Sequence, residues 1–121
     1  MYYHAMARAA TTTDAFNALG DASRRQILDA LALGEATVGD IVVRLDLPQP
    51  QISKHLKVLR DVDLVRCRRD GRRRVYHVHR PALQPVQQWL QHLTTALNEH
   101  YDRLDDYLVE LQRSEPQERN D

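Results

Sequence analysis

One cysteine, Cys67, and four glycines are all the chain has of two residue types that many functions need. A lone thiol excludes an internal disulfide framework and any zinc site built on paired cysteines. So few glycines leave no phosphate-cradling loop, and no nucleophile motif is present, so catalysis is not expected. No run of about 18 apolar residues is available to span a bilayer, and the start, MYYHAMARAATTT, lacks the charged end and apolar core of a secretory signal. Aromatic residues make up only 6% of the chain and the formal net charge is zero. These absences predict a soluble, cytoplasmic protein that is not an enzyme, has no membrane contact, and needs no metal or cofactor.

What is present fits one domain: 121 residues, 42% hydrophobic and 28% charged. A unit this small gains stability by burying apolar surface in an oligomer. The charges are sorted along the chain. From Ser53 to Arg80, ten Lys or Arg face Asp61, Asp63 and Asp70, a local balance of +7; from Asn98 to Asp121, eight acids face three arginines, a balance of −5. Clustered cations are what neutralising a polyanion requires, so nucleic acid is the expected partner.

Periodicity divides the chain into elements. Residues 1–12 read as a flexible N-terminus, 13–113 as the folded domain and 114–121, which contain Pro116, as a disordered tail. Asp14 can cap a short helix carrying Phe16 and Leu19, and Asp21 a second with Ile27, Leu28 and Leu31 inward and Arg24 and Arg25 outside. Thr37 opens a third helix, with Val38, Ile41, Val42 and Leu45 at helical spacing. A fourth starts around Gln49 and Pro50, since proline is tolerated in a first turn. In it, Ile52, Leu56 and Leu59 point inward, leaving Gln49, Gln51, Ser53, Lys54, His55 and Lys57 for contact elsewhere. From Leu64 the period becomes two. Val65, Cys67, Tyr76 and Val78 alternate with arginines around Asp70-Gly71, a tight-turn signal in which both central residues take positive φ. Folding alone does not require Arg68, Arg69, Arg72, Arg73 and Arg74 there. A last helix, about 82–113, repeats Val86, Leu90, Leu93, Leu97, His100, Leu104, Tyr107 and Leu111 in heptads. Trp89, Tyr101 and Leu108 widen the seam, so a second copy of this helix is the expected cover.

Helix, tight turn, polar-faced helix and basic hairpin follow the order of a winged helix-turn-helix, whose second helix enters the major groove. The stretch LDLPQPQISKHLKVLRDVDLV resembles the helix-turn-helix of the arsenic-repressor (ArsR-type) family, and ALGDASRRQILDALALGEATVGDI resembles that family's preceding helices; together they span about Phe16 to Val78. The resemblance implies a mainly α fold with a small β-hairpin wing (α+β), in the order α-α-α-α-β-β-α. It also implies a homodimeric repressor of double-stranded DNA, paired through its first and last helices and released by an inducer. Carried over, Gln51, Ser53, Lys54 and His55 take the base- and phosphate-facing positions, and Arg72 and Arg73 lie in the wing. Metal-sensing members hold paired cysteines in the helix before the recognition helix; here that stretch reads Gly39-Asp40-Ile41-Val42-Val43-Arg44. Their other site uses an Asp-x-His pair on the last helix, but His92 follows Leu90 and His100 follows Asn98 by two. Metal sensing is therefore not expected, and a small-molecule inducer of unknown identity stays open as a partner.

Blander accounts stand beside several features. His77 and His79 could chelate a metal or simply edge the wing; His100 could be an inter-subunit ligand or bond a neighbouring acid such as Glu99. Cys67 could be a redox sensor or a small strand hydrophobe. Trp89, Tyr101 and Tyr107 could line a ligand pocket or pack between helices. A metal- or redox-responsive repressor, or a winged adaptor that binds protein instead of DNA, are the alternative functions.

Overall fold

The computed structural model describes residues 15–120, with side chains over 15–113. The flexible stretch 1–12 and the Asp14 cap expected from the sequence lie outside the described residues. Helical backbone over 15–19 (α1) stops at Gly20, whose N–H donates to the Asn17 carbonyl at 3.0 Å. A helix C-terminus leaves carbonyls without partners. Here the next helix, α2 (Ala22–Ala32), supplies them. Arg24 donates from Nε to Ala18 O at 2.9 Å and from Nη2 to Asn17 O at 3.3 Å, and Arg25 from Nη1 to Leu19 O at 2.8 Å. These two arginines, read from the sequence only as outward-facing, bind α1 to α2. Asp21 caps α2 as expected, accepting the Arg24 N–H at 3.0 Å.

α3 (Val38–Leu45) begins with a capping box. Thr37 Oγ1 accepts the Asp40 N–H at 3.2 Å, and Asp40 Oδ2 accepts the Thr37 N–H at 3.1 Å. The turn out of α3 places Asp46 in the left-handed region (φ 53°), a conformation that aspartate tolerates better than most residues. α4 (Gln49–Asp61) follows at once, with Pro50 in its first turn. Ile27, Leu31, Ile41, Ile52, Leu56 and Leu59 form the centre of the core, with Leu64, Val65 and Tyr76 added from beyond α4. Leu28, Val38, Val42 and Leu45 pack against its edge. The helical spacing read from the sequence is thus the spacing of the buried positions.

β1 (Val65–Asp70) and β2 (Arg73–Val78) pair antiparallel in the register Val65–Val78, Cys67–Tyr76, Arg69–Arg74 and Asp70–Arg73. This corrects the expected turn by one residue. Asp70 closes the ladder and the two-residue loop is Gly71-Arg72, in which Gly71 alone takes positive φ (65°). Glycine at the first central position is the requirement of a II′ turn, whereas Asp-Gly as the central pair would need both residues in the left-handed region. Ala36 adds an isolated bridge to Tyr76 on the far side of β2. At the base of the hairpin, Asp63 (φ 63°) turns the chain and its carboxylate accepts Arg66 Nε at 2.9 Å and Nη2 at 3.0 Å. The Arg66 guanidinium holds the Asp63 carboxyl below the usual carboxylate range.

A 3₁₀ turn, Arg80–Leu83, leads to α5 (Gln84–Asn120), most of which forms a second unit from Val86 onward. The sequence puts the helix start near 82; the 3₁₀ turn with Pro81 occupies that position instead. The helical backbone also runs past residue 113, where the sequence places a tail. At 1.5 Å per residue, 37 residues make a rod of roughly 55 Å. The architecture is mainly α with one hairpin, in the order α-α-α-α-β-β-α.

Candidate nucleic-acid interface

The buried face of α4 decides which of its side chains meet solvent. With Ile52, Leu56 and Leu59 fully buried, Gln49, Gln51, Ser53, Lys54 and Lys57 are exposed. Neither lysine is in an ion pair among the described residues. His55, grouped with them from the sequence, is half-buried, and its Nδ1 is buried with no hydrogen-bond partner. Its neighbourhood includes Asp21, whose carboxyl is lowered chiefly by the Arg24 backbone N–H, with a smaller contribution from His55. His55 is therefore the least exposed member of that polar face.

The hairpin carries the second half of the surface. Arg69, Arg72, Arg73 and Arg74 are exposed, and none forms a salt bridge among the described residues. Arg69 and Arg74 are direct cross-strand partners. Like charges facing each other destabilise a strand pair, so this arrangement gains only when an anion lies between or beside them. Arg68 differs from the other four. Its Nε donates to Glu35 Oε2 at 3.2 Å and its Nη2 to Glu35 Oε1, and this guanidinium is the main cause that lowers the Glu35 carboxyl. Glu35 is absent from the residues the sequence singles out, because no spacing rule links positions 33 apart.

The histidines and the thiol fall in separate places. His79 Nε2 lies 3.7 Å from Asp63, while His77 has a buried Nδ1 without a partner. Half-buried Cys67 faces Tyr76 across the ladder, with Sγ 3.9 Å from the Arg68 carbonyl. Among the described residues no group of three or more His, Cys, Asp or Glu side chains could hold a metal ion. An open groove of roughly 520 Å³ runs between α2 and α3, lined by Gln26, Ala30, Leu33 and Arg44 among others, a feature that no pattern in the sequence announces.

In the second unit, Trp89, Leu90, Leu93, Leu97, Tyr101, Leu104 and Leu108 are large side chains left about half exposed. His100 is exposed and its ring lies 5.9 Å from that of Tyr101, while Val86 and, in α1, Phe16 are half-buried. No described helix is long and apolar enough to cross a membrane.

Residues 21–66, from the α2 cap to the start of β1, match the family model "Bacterial regulatory protein, arsR family". The transcriptional repressor SdpR of Bacillus subtilis (strain 168) is 35% identical over 75 residues, which cover 62% of this chain and 83% of that protein. The crystal structure of the ArsR family transcriptional regulator RHA00566 superposes with a TM-score of 0.65 at 28% identity, covering 74% of this chain and 93% of its own. A solution structure of the homodimeric winged helix-turn-helix DNA-binding domain Mb0332 from Mycobacterium bovis gives a TM-score of 0.59 at 28% identity, covering 81% and 88% respectively. With its winged helix-turn-helix, its matched core and a relative covered over most of its length, the chain belongs to the arsR family of bacterial transcriptional regulators, not to a family of enzymes.

Proposed function

We propose that the protein is a sequence-specific transcriptional repressor that binds double-stranded DNA as a homodimer on an inverted-repeat operator. The observation that carries this reading is the exposed, cationic face of α4 together with four wing arginines that make no ion pair among the described residues. Glutamine can contact an adenine edge with two bonds, serine allows close approach, and lysine and arginine supply phosphate or guanine contacts. The half-exposed heptad row of α5 supports pairing with a second copy. Two copies related by a two-fold axis place two recognition helices about one DNA turn apart, which makes the operator an inverted repeat. Repression is the role that similarity to the transcriptional repressor SdpR supports, and autoregulation of its own promoter is part of the proposal.

The reading is metal-independent, since Gly39 to Arg44 offers no thiolate and neither His92 nor His100 completes an Asp-x-His pair. A small-molecule inducer is the partner it leaves open.

Fluorescence anisotropy on a duplex from the gene's own upstream region and on a scrambled duplex, over a salt series, tests the whole. The expected result is preference for the upstream duplex, a steep salt slope and indifference to added zinc. Equal affinity for both duplexes defeats sequence-specific repression, and release of DNA by zinc defeats metal independence. Within that assay, Gln51→Ala is expected to narrow discrimination at one base pair per half-site by about tenfold, the worth of a bidentate base contact, while leaving affinity for the scrambled duplex unchanged.

A further inference from the structure

The wing is fastened to its unit by the short connection between α2 and α3. Ala36, only 1% exposed, exchanges two backbone bonds with Tyr76: its N–H donates to Tyr76 O at 3.0 Å and its carbonyl accepts the Tyr76 N–H at 2.8 Å. The adjacent residue, Glu35, takes Arg68 Nε and Nη2 on its two carboxylate oxygens. Tyr76 belongs to β2 and Arg68 to β1, so two consecutive residues of one connection hold both strands. An isolated surface ion pair contributes little to stability. This one uses both oxygens of the acid and both donors of a planar fork, which fixes direction as well as distance. It also lies just below the rungs Arg69–Arg74 and Asp70–Arg73, where the other wing arginines begin.

An acid in that position would otherwise be a disadvantage. Beside a surface that grips phosphate, a negative charge weakens binding, and removing it should strengthen binding. We propose that Glu35 is a positioning residue for DNA binding: by holding Arg68 it fixes the direction of the wing so that Arg69, Arg72, Arg73 and Arg74 reach the duplex backbone together. The inference rests on the DNA-binding reading above. Arg68 then serves as the anchor of the wing and not as one of its phosphate contacts, and Glu35 acts through it without touching DNA. Preorganisation of this kind shows in affinity because the order is already present before the partner arrives.

The test compares the full-length wild type with Glu35→Gln and with the exchanged pair Glu35→Arg/Arg68→Glu, which keeps the net charge. In the protein without DNA, Glu35→Gln is expected to speed hydrogen exchange at the Ala36 and Tyr76 amides. On the upstream duplex it is expected to weaken binding by about fivefold despite the loss of a negative charge, with a shallower salt slope, and the exchanged pair to recover most of that loss. Unchanged exchange overturns the clamp. Faster exchange with equal or tighter binding overturns the positioning role, leaving Glu35 as a charge that merely opposes the wing. A wild type that binds no duplex, with the amides still loosened in Glu35→Gln, defeats the DNA reading and the positioning role with it while the clamp itself stands.

Discussion

Replacing Leu93 and Leu97 together with glutamate should turn a dimer into a monomer and lower affinity for the operator by about a thousandfold, the scale of avidity lost when two linked sites become one. The two leucines are 42% and 44% exposed in the single chain, four residues apart on α5, so the substitutions leave the core of the first unit intact. In a two-fold dimer each change occurs twice. Burying a leucine contributes about 2 kcal/mol, so removing four leucines takes away about 8 kcal/mol before the penalty of forcing carboxylates into an apolar seam. Few dimers of this size would survive that. Sedimentation equilibrium reads the assembly state and anisotropy reads the DNA affinity, with Leu93→Met/Leu97→Met as a volume-conserving control. A Glu variant that stays dimeric would place the interface elsewhere; a monomer with undiminished affinity would separate dimerisation from DNA binding.

Removing Arg72 and Arg73 together should weaken binding to every duplex, operator or scrambled, by about fiftyfold at moderate salt. Arg72 lies in the hairpin loop and Arg73 begins β2; both are exposed, and neither is in an ion pair among the described residues. Each phosphate that the protein no longer neutralises takes about 0.9 from the slope of log affinity against log salt, so the slope should become shallower by about two per wing. The contrast with Gln51→Ala is the informative part. A wing substitution changes the salt slope and spares discrimination, whereas a recognition-helix substitution does the reverse. Should Arg72→Ala/Arg73→Ala lose affinity only for the operator, the wing would be reading bases and not backbone.

The parts of the fold that follow from nearest-neighbour chemistry were legible in the sequence. Ile27 and Leu31, Ile41, and the trio Ile52, Leu56 and Leu59 repeat with the period of the helix that buries them, and Asp21 and Thr37 cap the helices they precede. What escaped depends on distance along the chain. Asp70-Gly71 signals a turn, but register belongs to the paired strands, and the ladder places Gly71-Arg72 at its tip. Five arginines around that turn look equivalent in sequence; Glu35 singles out Arg68, and only the docked connection brings the two together. Arg24 and Arg25 likewise look solvated until α1 folds back and presents its carbonyls to them. The candidate site's residues could be listed from their order, whereas the pairing that sets Arg68 apart from the other four arginines could not.

The Ala36–Tyr76 bridge also has a consequence for the chain as it is made. Residue 36 is joined to the nascent chain forty residues before its partner, a delay of a few seconds at ordinary rates of synthesis. α2 is already made by then, and α3 and α4 are added during that interval, while the N–H and carbonyl of Ala36 still lack the strand they pair with in the finished protein. The helix α4 is thus synthesised in full before β2, and the Ala36 edge completes its backbone pairing only once Tyr76 has been added.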